Sequence, residues 1–595
     1  MDAAGPAGRG GNAGDAATPG ARAALRPAGS LAGAGVRLQL VCVVFSRRLF
    51  LVAGGPLALA VLGLAACKND TTQAVAVAPN PQSVSVPTQH NDNTRAGWND
   101  HETALTTSNV NVQQFGKLFT LTVDDQLYAQ PLVVGHVPIG DGDHNVVYVA
   151  TVNNTLYAFD GDDGTLYWTK NYTAPGMRPP RNSDMTGACG GSYADFSGNM
   201  GMVGTPVIDP AQRVLYVVAR STDGSSFVQY LHAVSIIDGS ELAGSPAQIT
   251  ATYSGNGDGS VNNVISFDGQ RQNQRQALTL LDGVVYVTFS SHCDWGPYHG
   301  WVLGYDAVTL QQRVVYNATP NGYAGGMWES GTGMAADADG NLYVVAGNGT
   351  VGDTGDPTSL VNRGESAMKL VPSGSTLQVA SYFTPTNYQF LNDNDLDYGS
   401  VGGLLIPSSS YYLTGGKDGA LYLLNKDDMG GYQPGSNQAH QVIQLTGSEM
   451  HCQAAYYKGS AQEFVYVWPE NTPLTALPFD RGSGLLGRQD ALVFTDGGPT
   501  GHSGAMLAVS SDGSKDDTAI LWASYALTGD AEHEVRPVML RAFAANDITR
   551  ELWNNRQNLA RDGGGMYAKF ASPTIANGHV YLPTFSGQVV VYGLQ

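Results

Sequence analysis

Charge is scarce in this chain. Of its 595 residues only 14% are Asp, Glu, Lys or Arg, and Asp and Glu outnumber Lys and Arg by 51 to 31. That balance excludes nucleic acid as a partner, because nothing here neutralises a run of phosphates. The net charge of −20 serves to keep an acidic surface soluble. Cysteine is nearly as rare, with five in all. No Cys-x-x-Cys-His occurs, which excludes covalent c-type haem. No Cys-x-x-Cys zinc pair, phosphate loop or Gly-x-Ser-x-Gly elbow stands out. Apolar residues at helical spacing over a long segment are missing too, so the chain is not a helical bundle.

What is present is strand. The chain carries 75 Gly and 29 Tyr, and Val, Ile, Tyr and Thr fill short apolar runs punctuated by Asp-Gly and Asn-Gly pairs. One pattern recurs eight times after Ala129. An opening run follows a small residue or proline, as at Gln130-Pro131-Leu132, Gly204-Thr205-Pro206-Val207, Gln276-Ala277-Leu278 and Gly331-Thr332-Gly333-Met334. The others are Gly402-Gly403-Leu404-Leu405, Gln453-Ala454-Ala455, Ser503-Gly504-Ala505-Met506 and Ser572-Pro573-Thr574-Ile575. A Tyr-bearing strand comes next, such as Val214-Leu215-Tyr216-Val217-Val218, and then a third strand with an acidic turn. A unit of four short strands cannot bury its own faces, so it stacks on its neighbours, and a closed ring leaves few free edges. The last unit ends one strand short at Val589-Val590-Val591-Tyr592, and Leu118 to Val123 supplies a spare strand near the start. The fold class read from this is all-β: a single eight-bladed β-propeller of four-stranded antiparallel blades, closed by pairing the N-terminal strand with the last blade.

The first residues have targeting character. Residues 1–45 form a low-complexity leader of Ala, Gly, Pro and Arg. The next methionine is Met177, which is consistent with a mis-assigned start and a non-AUG codon near Val41 to Val44. Residues 46–67 run basic, apolar, then small, the order of an export signal. Ser46-Arg47-Arg48-Leu49-Phe50-Leu51 resembles a twin-arginine signal. Leu64-Ala65-Ala66-Cys67 resembles a bacterial lipobox, with Cys67 as the lipidated residue. Gly54, Gly55 and Pro56 argue against a stable spanning helix. Residues 68–95 read as a flexible tether and 96–595 as the propeller. The expected location is the periplasm or outer cell surface, lipid-anchored in a bacterial membrane. For the remaining cysteines, Cys189 with Cys293 is the favoured disulfide because both sit in adjacent inter-strand insertions, with free thiols as the alternative.

Propeller chemistry is expected where strand-connecting loops converge on the channel mouth. The unusual insertions are Ser291 to Trp301, Gly325 to Gly331, Ala346-Gly347-Asn348-Gly349 with Asn362 to Ser366, Asn392 to Ser400, and Gly415 to Gly419. Together they offer carboxylates and amide oxygens for a hard cation such as calcium, an indole for stacking and a lysine for an anion. His292 and His299 read as local hydrogen-bonding groups.

The turn Ala158 to Trp168, of the form Ala-x-Asp-x-x-x-Gly-x-x-x-Trp, resembles the docking repeat of quinoprotein alcohol dehydrogenases, eight-bladed propellers that hold pyrroloquinoline quinone (PQQ) and usually calcium. The order of further elements is similar to that family. The resemblance implies that Trp328 stacks beneath the quinone and that Asn348, within Gly347-Asn348-Gly349, ligates calcium. Leu396-Asp397-Tyr398 resembles the family's Trp-Asp-Tyr, implying Asp397 as catalytic base and as a metal ligand beside Asp294 and Asn348. Lys417-Asp418-Gly419 resembles Arg/Lys-Asn-Gly, implying that Lys417 contacts the quinone oxygens and serves catalysis. Asp294 falls one position from the acidic calcium ligand, and Glu329 is a spare candidate base. The chain departs from the family at Leu396 and in lacking the adjacent cysteine pair.

These features together imply an exported lipoprotein acting as a PQQ- and calcium-dependent dehydrogenase of an alcohol, aldehyde or sugar, passing electrons to a separate acceptor. The alternative is a non-catalytic scaffold or protein-interaction lipoprotein of the cell envelope, since fold does not imply function. In either case the membrane is met only through the lipid anchor, and the structural discriminator is whether the site groups converge at the channel mouth.

Overall fold

The computed structural model describes residues 83–140 and 142–595. The leader, the signal, Cys42, Cys67 and the first part of the tether lie outside the described residues. Eight antiparallel sheets follow one another around a ring. The innermost strands of blades one to eight are Leu132–Ile139, Val207–Asp209, Thr279–Leu281, Ala335–Ala336, Tyr398–Leu405, Ala455–Lys458, Met506–Ser510 and Thr574–Ala576. Each falls on, or directly after, an opening run of the repeat. The inner strands are near-continuous apolar runs buried on both faces, because a neighbouring blade covers each face. Tyr148 and Trp168 of blade one thus share a core with Leu215 and Val217 of blade two. The docking turn works by hydrogen bonding as well as burial: Trp168 Nε1 donates to the Ile236 carbonyl of the next blade at 3.2 Å.

The ring closes in blade eight. Its outermost strand is Phe115–Thr122, paired antiparallel with Gln588–Leu594, with Leu121 opposite Val589 and Phe119 opposite Val591. α-Helix among the described residues is confined to Tyr388–Asp393 and Leu559–Asp562.

The end of the stretch read as a tether is packed into the ring. Residues 83–102 form a strap that visits all eight innermost strands. Val86 bridges Val133, and Pro87 O accepts from Ile208 N. Asn93 bonds Leu280 and Ala336, Thr94 O accepts from Leu405 N, and Ala96 O accepts from Tyr456 N. Trp98–Asn99 pairs parallel with Val509–Ser510, and Asn99 Nδ2 donates to Ile575 O in blade eight. The polar composition that suggested a solvated tether is what this position requires. Each innermost strand presents an unpaired edge to the channel, and a segment rich in hydrogen-bonding groups satisfies those edges.

The strap thus runs along the channel-facing edges of the innermost strands. One end of the channel is the open end, framed by the connections that enter the first strand and leave the second strand of each blade.

Candidate functional site

At the open end lies a cavity of about 1000 Å³. Asp397 and Trp328 stand on connections entering the first strands of blades five and four, while Asp294, Asn348 and Lys417 stand just after the second strands of blades three, four and five. All five line the cavity. The repeat topology explains this, because antiparallel strands return every such loop to the same end.

Asn348 is the hub. Its backbone N–H donates to Asp397 Oδ1 at 2.9 Å, and its Nδ2 donates to Asp294 Oδ2 at 2.9 Å and Asp395 Oδ1 at 2.6 Å. Its Oδ1 is buried and has no partner. Oxygens of Asp294, Asp395 and Asp397 lie within 4.8 Å of one another. Gly347 makes the approach possible, since a Cβ there would sit 2.2 Å from Asp397 Oδ1. Cys293 and Asp294 are both held in the left-handed region, at φ 50° and 46°. Cys293 is tied there by a disulfide to Cys189, and Asp294 by the Tyr298 hydroxyl, which donates to Oδ1 at 2.5 Å.

Lys417 Nζ lies 2.8 Å from Asp397 Oδ2 and 3.5 Å from Asp395 Oδ2. Burial acts to lower its pKa, but the Asp397 and Asp395 charges outweigh that and raise it above the ordinary lysine range. The same ammonium is 5.8 Å from the centroid of the Trp328 indole. Asp294 is shifted up by burial and by the Asp397 charge. Behind them Glu365 is pushed well above the carboxylate range by burial and by Asp397. Its Oε1 is also unpartnered.

Two cations in the cavity wall carry no recognisable signature in the sequence. Arg275 is buried and lies 4.5 Å over the Phe570 ring and 5.5 Å over Tyr128 and Phe196, with no carboxylate among the described residues at ion-pair distance. Lys569 is buried and donates only to the Glu532 carbonyl. Burial, reinforced by Arg275, pulls its pKa down to about 8. Other candidates lie apart from the cavity. Glu329 is fully buried, its carboxylate accepting from Val345 N at 2.7 Å and Gly403 N at 3.1 Å, so it braces blades four and five rather than facing a ligand. His292 bonds Tyr193 and Arg220, and His299 bonds Thr319 and the Asp258 carbonyl.

The residues fit the groups that the family resemblance implies. A hard cation takes oxygen ligands, and here three carboxylates cluster beside an asparagine whose amide oxygen has no partner. A flat polyanion matches an indole together with Lys417, Arg275 and Lys569.

No protein-family model matches the chain, and no curated protein does either. Solved structures do match in fold. A quinohemoprotein alcohol dehydrogenase from Comamonas testosteroni superposes with a TM-score of 0.53 at 14% identity, over 86% of this chain and 80% of that one. A quinohemoprotein alcohol dehydrogenase from Pseudomonas putida HK5 gives 0.54 at 13% identity, over 86% and 80%. A europium-containing methanol dehydrogenase gives 0.53 at 11%, over 86% of this chain and 98% of that one.

Proposed function

We propose that this protein is a PQQ- and calcium-dependent dehydrogenase that oxidises an alcohol, aldehyde or sugar outside the cytoplasm and hands electrons to a separate acceptor. One observation carries the reading: Asn348, its Nδ2 bonded to Asp294 and Asp395, its backbone N–H to Asp397 and its Oδ1 buried without a partner, stands with Lys417 and Trp328 in a single cavity. Asp294, Asp395 and Asn348 would hold calcium. Trp328 would stack against the ring system, and Lys417, Arg275 and Lys569 would meet its carboxylates and carbonyl oxygens. When bound, these groups supply the two-electron acceptor and the Lewis acid that alcohol oxidation requires.

The chain's own contribution is proton transfer and positioning. Asp397 is the base. Its Oδ1 is fixed by the Asn348 N–H and its Oδ2 by Lys417, so the carboxylate is oriented before substrate arrives. It accepts the proton of the substrate hydroxyl. Lys417 bridges Asp397 and the region above Trp328, where charge on an acceptor oxygen is stabilised. The lipobox at Cys67 and the Arg47-Arg48 signal support export and lipid anchoring, and the Cys189–Cys293 disulfide fits an oxidising compartment.

Calorimetric titration of the purified protein with PQQ, with and without calcium, tests this. The expected result is calcium-dependent binding weakened at least about tenfold in Trp328→Ala, with the calcium effect lost in Asp294→Asn. Asp397→Ala is expected to abolish alcohol oxidation. No binding at saturating PQQ and calcium overturns the reading and leaves the envelope scaffold in its place.

A further inference from the structure

A second side-chain cluster lies in the same cavity and takes no part in the chemistry above. His451 and His502 stand on the connections entering the innermost strands of blades six and seven, and Glu470 comes after the second strand of blade six. Glu470 Oε1 is 2.6 Å from His451 Nδ1 and 3.8 Å from His502 Nδ1. The two imidazole rings are 4.2 Å apart. One donor atom from each of the three residues lies within 4.8 Å of the other two.

A structural role accounts for part of this arrangement only. The His451–Glu470 hydrogen bond satisfies two of the three groups. The His502 ring is left over. Its contacts are the longer approach to Glu470, the His451 ring and the edge of Phe570 at 5.3 Å, and it makes no hydrogen bond among the described residues. The ring keeps 13% of its surface exposed and lines the cavity, so its nitrogens are free to take a ligand from there.

We propose that His451, Glu470 and His502 form a site for a divalent transition-metal ion of the zinc class, distinct from the oxygen-lined site at Asp294. Two imidazole nitrogens and one carboxylate are a donor set for such an ion, whereas calcium takes oxygen alone, so the two sites divide by ligand softness. Metal–ligand bonds of about 2.0–2.2 Å put tetrahedral donors about 3.3 Å apart. The distances of 2.6 and 3.8 Å bracket that value. Glu449 Oε2 lies 3.7 Å from the far nitrogen of His451, where a carboxylate orients a metal-binding imidazole. His451 and His502 line the cavity, so the remaining coordination positions face it, open to water or a substrate oxygen. The site stands independently of the quinone reading.

The test is zinc titration of the chelator-stripped protein by calorimetry, with cobalt absorption as a second readout. The expected result is one zinc per chain, and a visible cobalt band of nitrogen and oxygen coordination. His502→Gln removes a ring that has no hydrogen bond to lose, so the fold is expected to survive, with zinc affinity lowered at least about 10–100-fold and the cobalt band lost. Asp294→Asn is expected to leave zinc binding unchanged. Absence of stoichiometric zinc, equal affinity in His502→Gln, or loss in Asp294→Asn instead would each overturn the proposal.

Discussion

The cavity's cations set its response to pH. Lys569 is held down at about 8 by burial and by Arg275, so its ammonium is present below that pH and absent above it. An anionic ligand meets one positive charge fewer as pH rises through this value. PQQ affinity is therefore expected to fall between about pH 7 and pH 9, and Lys569→Met to bind more weakly with that step removed. Titration calorimetry at several pH values reads both, and an unchanged step in the variant would show that Lys569 does not face the ligand. Without ligand the sign is opposite for folding. The unfolded chain holds this proton up to the ordinary lysine value of 10.5 and the folded chain only to about 8, so this group's penalty on stability is relieved as pH rises across that interval. Much of this chemistry is legible in the chain and some is not, for one physical reason. Trp328, Asn348, Asp397 and Lys417 announce themselves through local runs such as Gly347-Asn348-Gly349. Arg275, Lys569 and the His451–Glu470–His502 group have no local signature, because their partners stand on other connections, 19 or more residues away in sequence. Asp395 lies within the acidic insertion Asn392 to Ser400, and only its bonds to Asn348 and Lys417, both remote in sequence, bring it into the site.

At the scale of the element, the strap is the least expected part. Its Asn, Thr, Gln and Ser composition is that of a solvated linker, and nothing local reports the ring of free strand edges that it fills. Arg95 anchors it. The guanidinium is fully buried, donating to the Met334, Gln89 and Leu278 carbonyls and to Thr88 and Thr279 hydroxyls at 2.7–3.3 Å. These bonds tie the strap to blades three and four, and Gly333 leaves the space, since a Cβ there would lie 2.6 Å from Arg95 Nη2. Arg95→Met keeps an unbranched apolar stem and removes every donor, stranding buried acceptors at about 1–3 kcal/mol each, offset by relief of a buried charge. A net loss of about 2–4 kcal/mol is expected, read as a lower urea midpoint. A midpoint equal to that of the parent would mean that the strap is held by its backbone bonds alone.

For the whole molecule, closure decides stability. A blade's two faces are covered only by its neighbours, so a gap anywhere exposes two apolar faces at once. Blade eight is where the gap would open, because it is assembled from both parts of the chain. Phe115–Thr122 has a partner only in Gln588–Leu594, and Phe115 itself stacks into the core shared by blades seven and eight with Trp522, Trp553 and Tyr592. Two truncations separate this role from simple chain length. A chain beginning at Ser83 retains every strap contact described and both strands of the closure, so its melting temperature is expected to equal that of the parent. A chain ending at Gly587 loses only eight residues, 588–595, yet orphans the N-terminal strand and uncovers Val580, Leu582 and Tyr581. Differential scanning calorimetry is expected to show no single cooperative transition for it, since unfolding then spreads from the open blade to its neighbours. A cooperative transition near the parental temperature would mean that the strap, by bonding all eight innermost strands, closes the ring without the help of blade eight.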